Sequence, residues 1–390
     1  MKVLWYISPV DGRRPWVPEG RFPVDHARLR RTAQTVDRGG FYGALFGTYA
    51  HDVFITVTSL ISVTERMRFL IPIYPGVTPP SLLAQQALTF DDYSGGRLLF
   101  NLVNGTDKTL ARYGVDVEHD ERYEMSAEYW KLFKRLYKGE NVTHRGKYFN
   151  ISGRDSNVLL SSNLPLGPVQ SPCIPLWGAG ASPAGIGHAA QVVDVYLAFL
   201  RNPADVAKQI QDAKAAAALQ GRTLEFGALA SVVVRETEEE AIRHFQQLLE
   251  STGAEAIARS AHEALIARGV HKEGLNGISS SNPKVQARID ALRAGRLPRL
   301  EDLEIAPNMY AGMTGWGALL DLPGEGAGTY IVGSAQQVAD RLKWLQSEVG
   351  IDNFILSGWP QAQEAEYTAE LLLPLLDLDH EPPVLAPKKQ

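Results

Sequence analysis

The chain is poor in the residues and motifs behind several familiar chemistries. A single cysteine, Cys173, stands among 390 residues, which excludes an internal disulfide and any zinc site built on cysteine pairs. No stretch of about 18 uncharged apolar residues is present to span a bilayer. The apolar run in MKVLWYISPVDGRR is too short for a secretory signal and lacks its small-residue cleavage site. A cytoplasmic location, away from membranes, is the expectation. Net charge is -5 with no long basic block, so nothing favours nucleic acid. Ser8-Pro9-Val10-Asp11-Gly12, after the first apolar run, is not a dinucleotide-binding glycine pattern. A phosphate-binding lysine loop, a His-Glu-x-x-His pair and a nucleophile elbow are missing too. By elimination, the chemistry is expected to ride on a bound cofactor.

What is present is a rhythm. Short apolar runs at 3–7, 41–46, 67–73, 97–103, 174–178, 193–198, 226–235 and 354–357 alternate with stretches of helical spacing. The clearest unit is LTFDDYSGGRLLFNLVNG, residues 88–105. A helix ends there at Gly95-Gly96, a buried strand follows, and the strand opens into Asn101, Asn104 and Gly105. Eight such units predict an α/β fold, a (β/α)8 TIM barrel with insertions, spanning residues 1–378 as one domain. A doubly wound open sheet fits the same alternation, but the glycine pattern after strand one argues against it. A plain barrel needs roughly 250 residues, so insertions are expected at about 141–172, with a hairpin around Gly146, and at 252–307. The second, two helical pieces joined by GVHKEGLNGISSSNPK, reads either as a mobile lid or as a plain surface excursion. Residues 308–334 are expected to rejoin the barrel, and 379–390 to form a loose tail.

Barrels of this kind carry their chemistry at the carboxyl ends of the strands. His51 falls at such a tip and is a candidate acid, base or hydrogen-bond donor, because imidazole titrates near neutrality. The plainer reading makes it part of the cap of the next helix. Tyr310, Trp316 and Trp359 lie in tip segments and are expected to line a pocket, whereas Trp5, on a strand, is core or a stacking face. The turn Gly180-Ala181-Ser182 opens a helix after the fifth strand, an arrangement that presents backbone N–H groups to a phosphate. Asp91-Asp92 and Glu238-Glu239-Glu240 read as solvated helix faces, Asp52 as a helix cap, and His119 as structural. His188 and His262 read as helix-surface histidines, and Cys173 as a quiet thiol.

Seven segments together resemble a known family. They are TVDRGGFYGALF, SVTERMRFLIPIYPG, FDDYSGGRLLFNLVNG, HDERYEMSAEYWKLFKRLY, the turn Trp177 to Ser182, APNMYAG, and FILSGWPQAQEA with ELLLPLLD. In this order they resemble the bacterial-luciferase superfamily, and most closely its alkanesulfonate monooxygenase branch. The resemblance implies a barrel that takes reduced FMN from a separate NAD(P)H:flavin reductase and uses O2 as co-substrate on a small organic substrate. It implies flavin contacts at Asn101 and Asn104, at Arg122 and Tyr123, and at Gly180, Ala181 and Ser182, and an association into dimers or tetramers. At Asn104 the family usually has threonine.

Sulfonate specificity does not carry over. Where that branch places a sulfonate-pairing Arg and a His on strand seven, this chain has Leu229 and Ser231. Another Arg is replaced near Gly324-Glu325, the strand-two cysteine gives way to Ala50-His51, and Tyr-Pro-His becomes Trp359-Pro360-Gln361. Arginine is the natural bidentate partner of an oxyanion, whereas Trp359 offers a large apolar face. The substrate is then neutral or aromatic, or its anion is held by another cation such as Arg13, Arg14, Arg201, Lys272 or Lys284. The resulting expectation is an FMNH2-dependent two-component monooxygenase cleaving a C–S or other carbon–heteroatom bond, with His51 and Trp359 as catalytic candidates and Tyr310, Trp316 and Arg201 at the substrate. The alternatives are a deazaflavin (F420)-dependent oxidoreductase of the same fold and a non-catalytic flavin-binding relative. A cofactor-free hydrolase needs two facing carboxylates that the tips do not offer, and no metal ligand set is evident.

Overall fold

The computed structural model describes the chain apart from residues 48–50, 106–109, 154–165, 268, 314–321, 323–327 and 380–390. Ala50, Trp316, the Gly324-Glu325 pair and all but the first residue of the expected tail lie outside the described residues.

All eight strands expected from the apolar runs are present. They are β1 (Lys2–Ile7), β2 (Gly43–Phe46), β3 (Arg68–Ile73), β4 (Leu98–Leu102), then, after the hairpin β5 (Thr143–Arg145) and β6 (Asn150–Ser152), β7 (Leu176–Ala179), β8 (Val195–Phe199), β9 (Glu225–Arg235) and, beyond three further strands, β13 (Asn353–Ser357). They follow one another in the order β13-β1-β2-β3-β4-β7-β8, and β9 pairs with both β8 and β13, which closes a parallel (β/α)8 barrel. The intervening helices include α1 (His26–Arg38), α2 (Val53–Thr58), α3 (Pro80–Ser94), α4 (Glu121–Tyr137), α5 (Pro183–Val192) and α6 (Pro203–Ala218). Beyond them come α7 (Glu238–Thr252), α8 (Ala254–Ala267), α9 (Pro283–Arg293), α10 (Leu300–Leu303), α11 (Ala335–Trp344) and α12 (Gln361–Tyr367). Among the described residues no helix is long and apolar enough to cross a membrane.

The local chemistry that ends and starts these helices is that of the sequence. Gly95 takes the left-handed conformation (φ 70°) that stops α3. Asp52 accepts the Ile55 N–H at 2.8 Å and caps α2, and Ser182 does the same for Gly185 on α5 at 3.1 Å.

One stretch departs from expectation. The described residues of 304–334 do not supply a barrel strand but extend the sheet to one side of β9. They form β10 (Glu304–Ala306), β11 (Met309–Ala311) and β12 (Thr329–Ser334), joined to one another antiparallel. The eleven-residue β9 makes this possible. Its first part, Gly227–Ser231, pairs with β13, and its second, Ser231–Arg235, pairs with β12. A strand longer than the barrel needs offers a free edge, and free edges recruit strands.

By chain contacts the molecule comprises two compact units, residues 1–44, 199–208 and 227–390 in one, 45–198 and 209–226 in the other. In the first, Ile257, Ala261 and Leu265 of α8 and Ile289 and Leu292 of α9 are buried in one apolar cluster with Phe245, Tyr330 and Trp359. The glycine-rich connection between α8 and α9 is part of that cluster through Leu275 and Ile278. Arg293 donates to the carbonyls of Leu275, Asn276 and Ile278, so this segment carries a polar clamp as well as a core of its own. In the second unit, Phe100 of β4 packs on Trp130 and Phe133 of α4, with ring centroids 5.7 and 5.6 Å away. Because side chains alternate along a strand, Asn101 points to the opposite, inner face.

Two acidic and basic side chains expected at the surface are buried in this unit. Asp91 is fully enclosed and accepts from the Tyr137 hydroxyl (3.0 Å), the Gln170 amide (2.9 and 3.1 Å) and the Leu98 N–H (3.3 Å). Burial raises its pKa above the ordinary carboxylate value. His188 is 5 % exposed, not on the helix surface. Both corrections have one cause: the covering groups come from elsewhere in the chain, and helical spacing around the residue itself does not announce them.

Candidate active site

In the unit comprising residues 45–198 and 209–226, the tip of β4, the start of α4 and the turn between β7 and α5 meet. The turn is built on a close approach of two glycines. A Cβ at Gly180 would lie 2.8 Å from the Gly185 Cα, and a Cβ at Gly185 would lie 2.8 Å from the Gly180 Cα and 3.1 Å from the Tyr123 hydroxyl. Only hydrogen at both positions permits this contact, which sets the Tyr123 oxygen directly over the first turn of α5. Ser182 satisfies the Gly185 N–H. The N–H groups of Ala181, Ser182 and Ala184 have no acceptor among the described residues. Unsatisfied N–H groups at the positive end of a helix form a cradle for an anion such as a phosphate.

The other side of this cradle is anchored by Arg122. It is buried and donates through Nη1 to the Gly105 carbonyl at 2.6 Å, tying the start of α4 to the β4 tip. Next to Gly105, the Asn104 carboxamide is buried, and neither its oxygen nor its nitrogen is hydrogen-bonded among the described residues. An orphaned amide costs on the order of 1–3 kcal/mol, and a bound polar group would relieve it. Asn101 stands in register with Pro72 of β3 and Trp177 of β7. The structure thus brings Tyr123, Gly180, Ala181 and Ser182 into one cradle. Arg122, Asn101 and Asn104 adjoin it, with Arg122 engaged in holding the backbone.

Three supporting residues were not foreseen. The Tyr196 hydroxyl donates to the Gly180 carbonyl at 2.6 Å, and the Gln209 amide donates to Tyr196 at 2.7 Å, fixing the turn from below. In VYLAF a tyrosine reads as core, and it is also core, fully buried. His188 packs against the Tyr123 ring at 5.7 Å. Its Nε2 is unpartnered among the described residues, and burial pushes its pKa down to about 4. A neutral imidazole therefore backs the tyrosine at neutral pH.

His51 is exposed and lines a cavity of 430 Å³ above β3, together with Phe54, Tyr74, Leu83, Gln86 and Tyr113. Tyr74, on the wall of this cavity, lies near the β4 tip: a Cβ at Gly105 would be 3.5 Å from its ring. His119 is exposed and pairs with Asp120 at 2.7 Å. Cys173 has its pKa pushed up to about 11 by burial, an inert thiol.

The remaining candidates lie in the other unit. Trp359 is 2 % exposed. It meets Trp16 edge-on at 5.8 Å and shares the apolar cluster with Phe245, Leu249 and Tyr330, so most of its face is taken by core packing. Tyr310 stands opposite Tyr330 on β11 and both rings pack on Phe245 of α7, at 5.6 and 5.3 Å. That is a helix-facing position on the side sheet and not a barrel strand tip, because β11 belongs to the extension of β9. Arg201 is half-buried just after β8, where the Leu200 N–H bonds the Leu229 carbonyl. Ser231 bonds the Ser357 hydroxyl at 3.0 Å in a buried, uncharged pair. Gln361 is a buried lock: it accepts from the Ser8 N–H (2.9 Å) and donates to the Ser8 and Val10 carbonyls (3.2 and 3.0 Å). Among the described residues no cluster of histidine, cysteine, aspartate and glutamate could hold a metal ion.

A model of the luciferase-like monooxygenase family matches residues 1–352. Among solved structures, riboflavin lyase RcaE with modified FMN and riboflavin is similar over 96 % of this chain and 91 % of its own, with a TM-score of 0.73 and 19 % identity. The long-chain alkane monooxygenase LadA matches 96 % of this chain and 90 % of its own, with a TM-score of 0.72 and 17 % identity. The coenzyme F420-dependent tetrahydromethanopterin reductase of Methanopyrus kandleri matches 96 % and 99 %, with a TM-score of 0.64 and 17 % identity. At these identities the likeness is one of fold.

Proposed function

Because the chain belongs to the luciferase-like monooxygenase family, we propose that it is a two-component monooxygenase that uses reduced FMN and O2 to oxygenate a small organic substrate, cleaving a carbon–heteroatom bond such as C–S. The observation that carries this reading is the cradle at Gly180–Gly185 beneath Tyr123, with its unsatisfied N–H groups. The backbone of Ala181, Ser182 and Ala184 and the Tyr123 hydroxyl would hold the flavin phosphate, and Asn101 and Asn104 would meet its polar ring edge. Arg122 holds the β4 tip in place. When bound, the flavin supplies the reducing electrons and activates O2. The protein's own part is to bind, orient and exclude water, with His51 at the cavity wall as the group able to donate or accept a proton. A separate NAD(P)H:flavin reductase would supply the reduced cofactor, in the cytoplasm, to a dimer or tetramer.

The test is anaerobic titration of reduced FMN, followed by tryptophan fluorescence. Tyr123→Phe and Ser182→Ala should each weaken binding about tenfold, the worth of one hydrogen bond to a charged group. Unchanged affinity in both variants would remove the cofactor assignment. Quenching by reduced F420 in place of reduced FMN would move the protein to the deazaflavin reading. Hydrogen peroxide as the sole product with every candidate substrate would support a non-catalytic flavin-binding role.

A further inference from the structure

The cavity above β3 has a one-sided wall. Its apolar surface comes from Phe54, Ile73, Tyr74, Val77, Leu83 and Tyr113, and among the described residues that line it there is no lysine or arginine. Several polar groups at its edge are already spent on α2. The Asp52 carboxylate caps Ile55, the Thr58 hydroxyl donates to the Phe54 carbonyl at 2.7 Å, and the Ser59 hydroxyl donates to the Thr56 carbonyl at 2.7 Å. The side chains of His51 and Gln86 have no hydrogen-bond partner among the described residues, and both line the same space. At 430 Å³ the cavity is within the usual range of small-molecule sites, about 300–1,000 Å³.

Resting on the function proposed above, we infer that this cavity is the substrate site and that it takes an uncharged, largely apolar molecule, held by hydrogen bonds from His51 and Gln86. An anion brought here would lose its water without gaining a cation from the described wall, and Asp52 would add charge of the same sign. A sulfone, thioether, ketone or aromatic heterocycle has the complementary character: an apolar body with one or two acceptors. A sulfonate or carboxylate has not.

The experiment is calorimetric binding to the full chain without flavin, using matched pairs of one skeleton. Suitable probes are 2-naphthyl methyl sulfone against naphthalene-2-sulfonate, and octyl methyl sulfone against octane-1-sulfonate. The neutral member of a pair should bind at least tenfold tighter. Val77→Trp, which fills the cavity from a half-buried position, should abolish that binding while leaving reduced-FMN affinity at the wild-type value. Gln86→Lys should raise sulfonate affinity at least tenfold. Equal binding of the two members, or neutral binding that survives Val77→Trp, would overturn the assignment, as would no binding of any neutral probe at millimolar concentration. Reduced FMN is titrated separately, so a failed cofactor assignment with intact neutral-ligand selectivity is distinguishable from the reverse.

Discussion

Helix α5 begins PAGIGHAAQV, and its two glycines make opposite predictions. At Gly187 an added methyl group meets nothing within 4 Å. At Gly185 it would sit 2.8 Å from one backbone atom of Gly180 and 3.1 Å from the Tyr123 hydroxyl. Alanine is favoured over glycine in a helix by about 1 kcal/mol. Gly187→Ala should therefore stabilise the protein by up to about 1 kcal/mol and leave cofactor affinity unchanged. In Gly185→Ala the same helical gain opposes an overpacking cost of about 1–3 kcal/mol, so the net loss of stability should be no more than about 2 kcal/mol. The strain cannot be relieved by a side-chain rotation, because the obstructing atoms belong to backbone. The turn or Tyr123 must move by several tenths of an ångström, which separates the hydroxyl from the N–H groups of the cradle. Loss of one charge-assisted hydrogen bond or more corresponds to about 10–100-fold weaker binding of reduced FMN. Urea unfolding measures the first quantity and anaerobic fluorescence titration the second. Wild-type affinity in Gly185→Ala would refute the cradle. So would equal damage from the two alanine variants, since only one of them touches it.

Stability should fall as pH drops from 6.5 to about 4. His188 has its pKa lowered from the ordinary 6.5 to about 4 by burial, so the unfolded chain binds a proton that the folded one refuses in that window. The stabilisation, on the order of 3 kcal/mol, is fully present above pH 6.5 and lost towards pH 4. His188→Leu should flatten this part of the stability profile, and an unchanged slope would argue against the burial of His188. His244, lowered for the same reason with Arg235 contributing, should account for the slope that remains. Gln361→Ala strips three side-chain hydrogen bonds from the segment after β1 and should cost about 2–4 kcal/mol in denaturant unfolding, two of the orphaned groups being on buried Ser8. A loss below 1 kcal/mol would mean that water replaces the lock.

The eight barrel strands and most helix ends were legible because their causes are local. A continuous apolar run is a strand buried on both faces, and Gly95 at φ 70° or Asp52 bonding Ile55 acts within a few residues of itself. The small-residue turn before α5 was legible for the same reason. What the chain by itself could not disclose depends on groups far along it. Asp91 is a buried acceptor only because Tyr137 and Gln170 arrive from 46 and 79 residues away, and in isolation Asp91-Asp92 looks like a wet helix face. Tyr310 and Trp359 do line cavities, Tyr310 with Asn308 and Arg341 and Trp359 with Arg13 and His244, but that Tyr310 sits on a side sheet follows only from β9 being long enough to recruit β12 and, through it, β11. Periodicity reports which way a side chain points from its own element, and tertiary packing decides what waits on the other side.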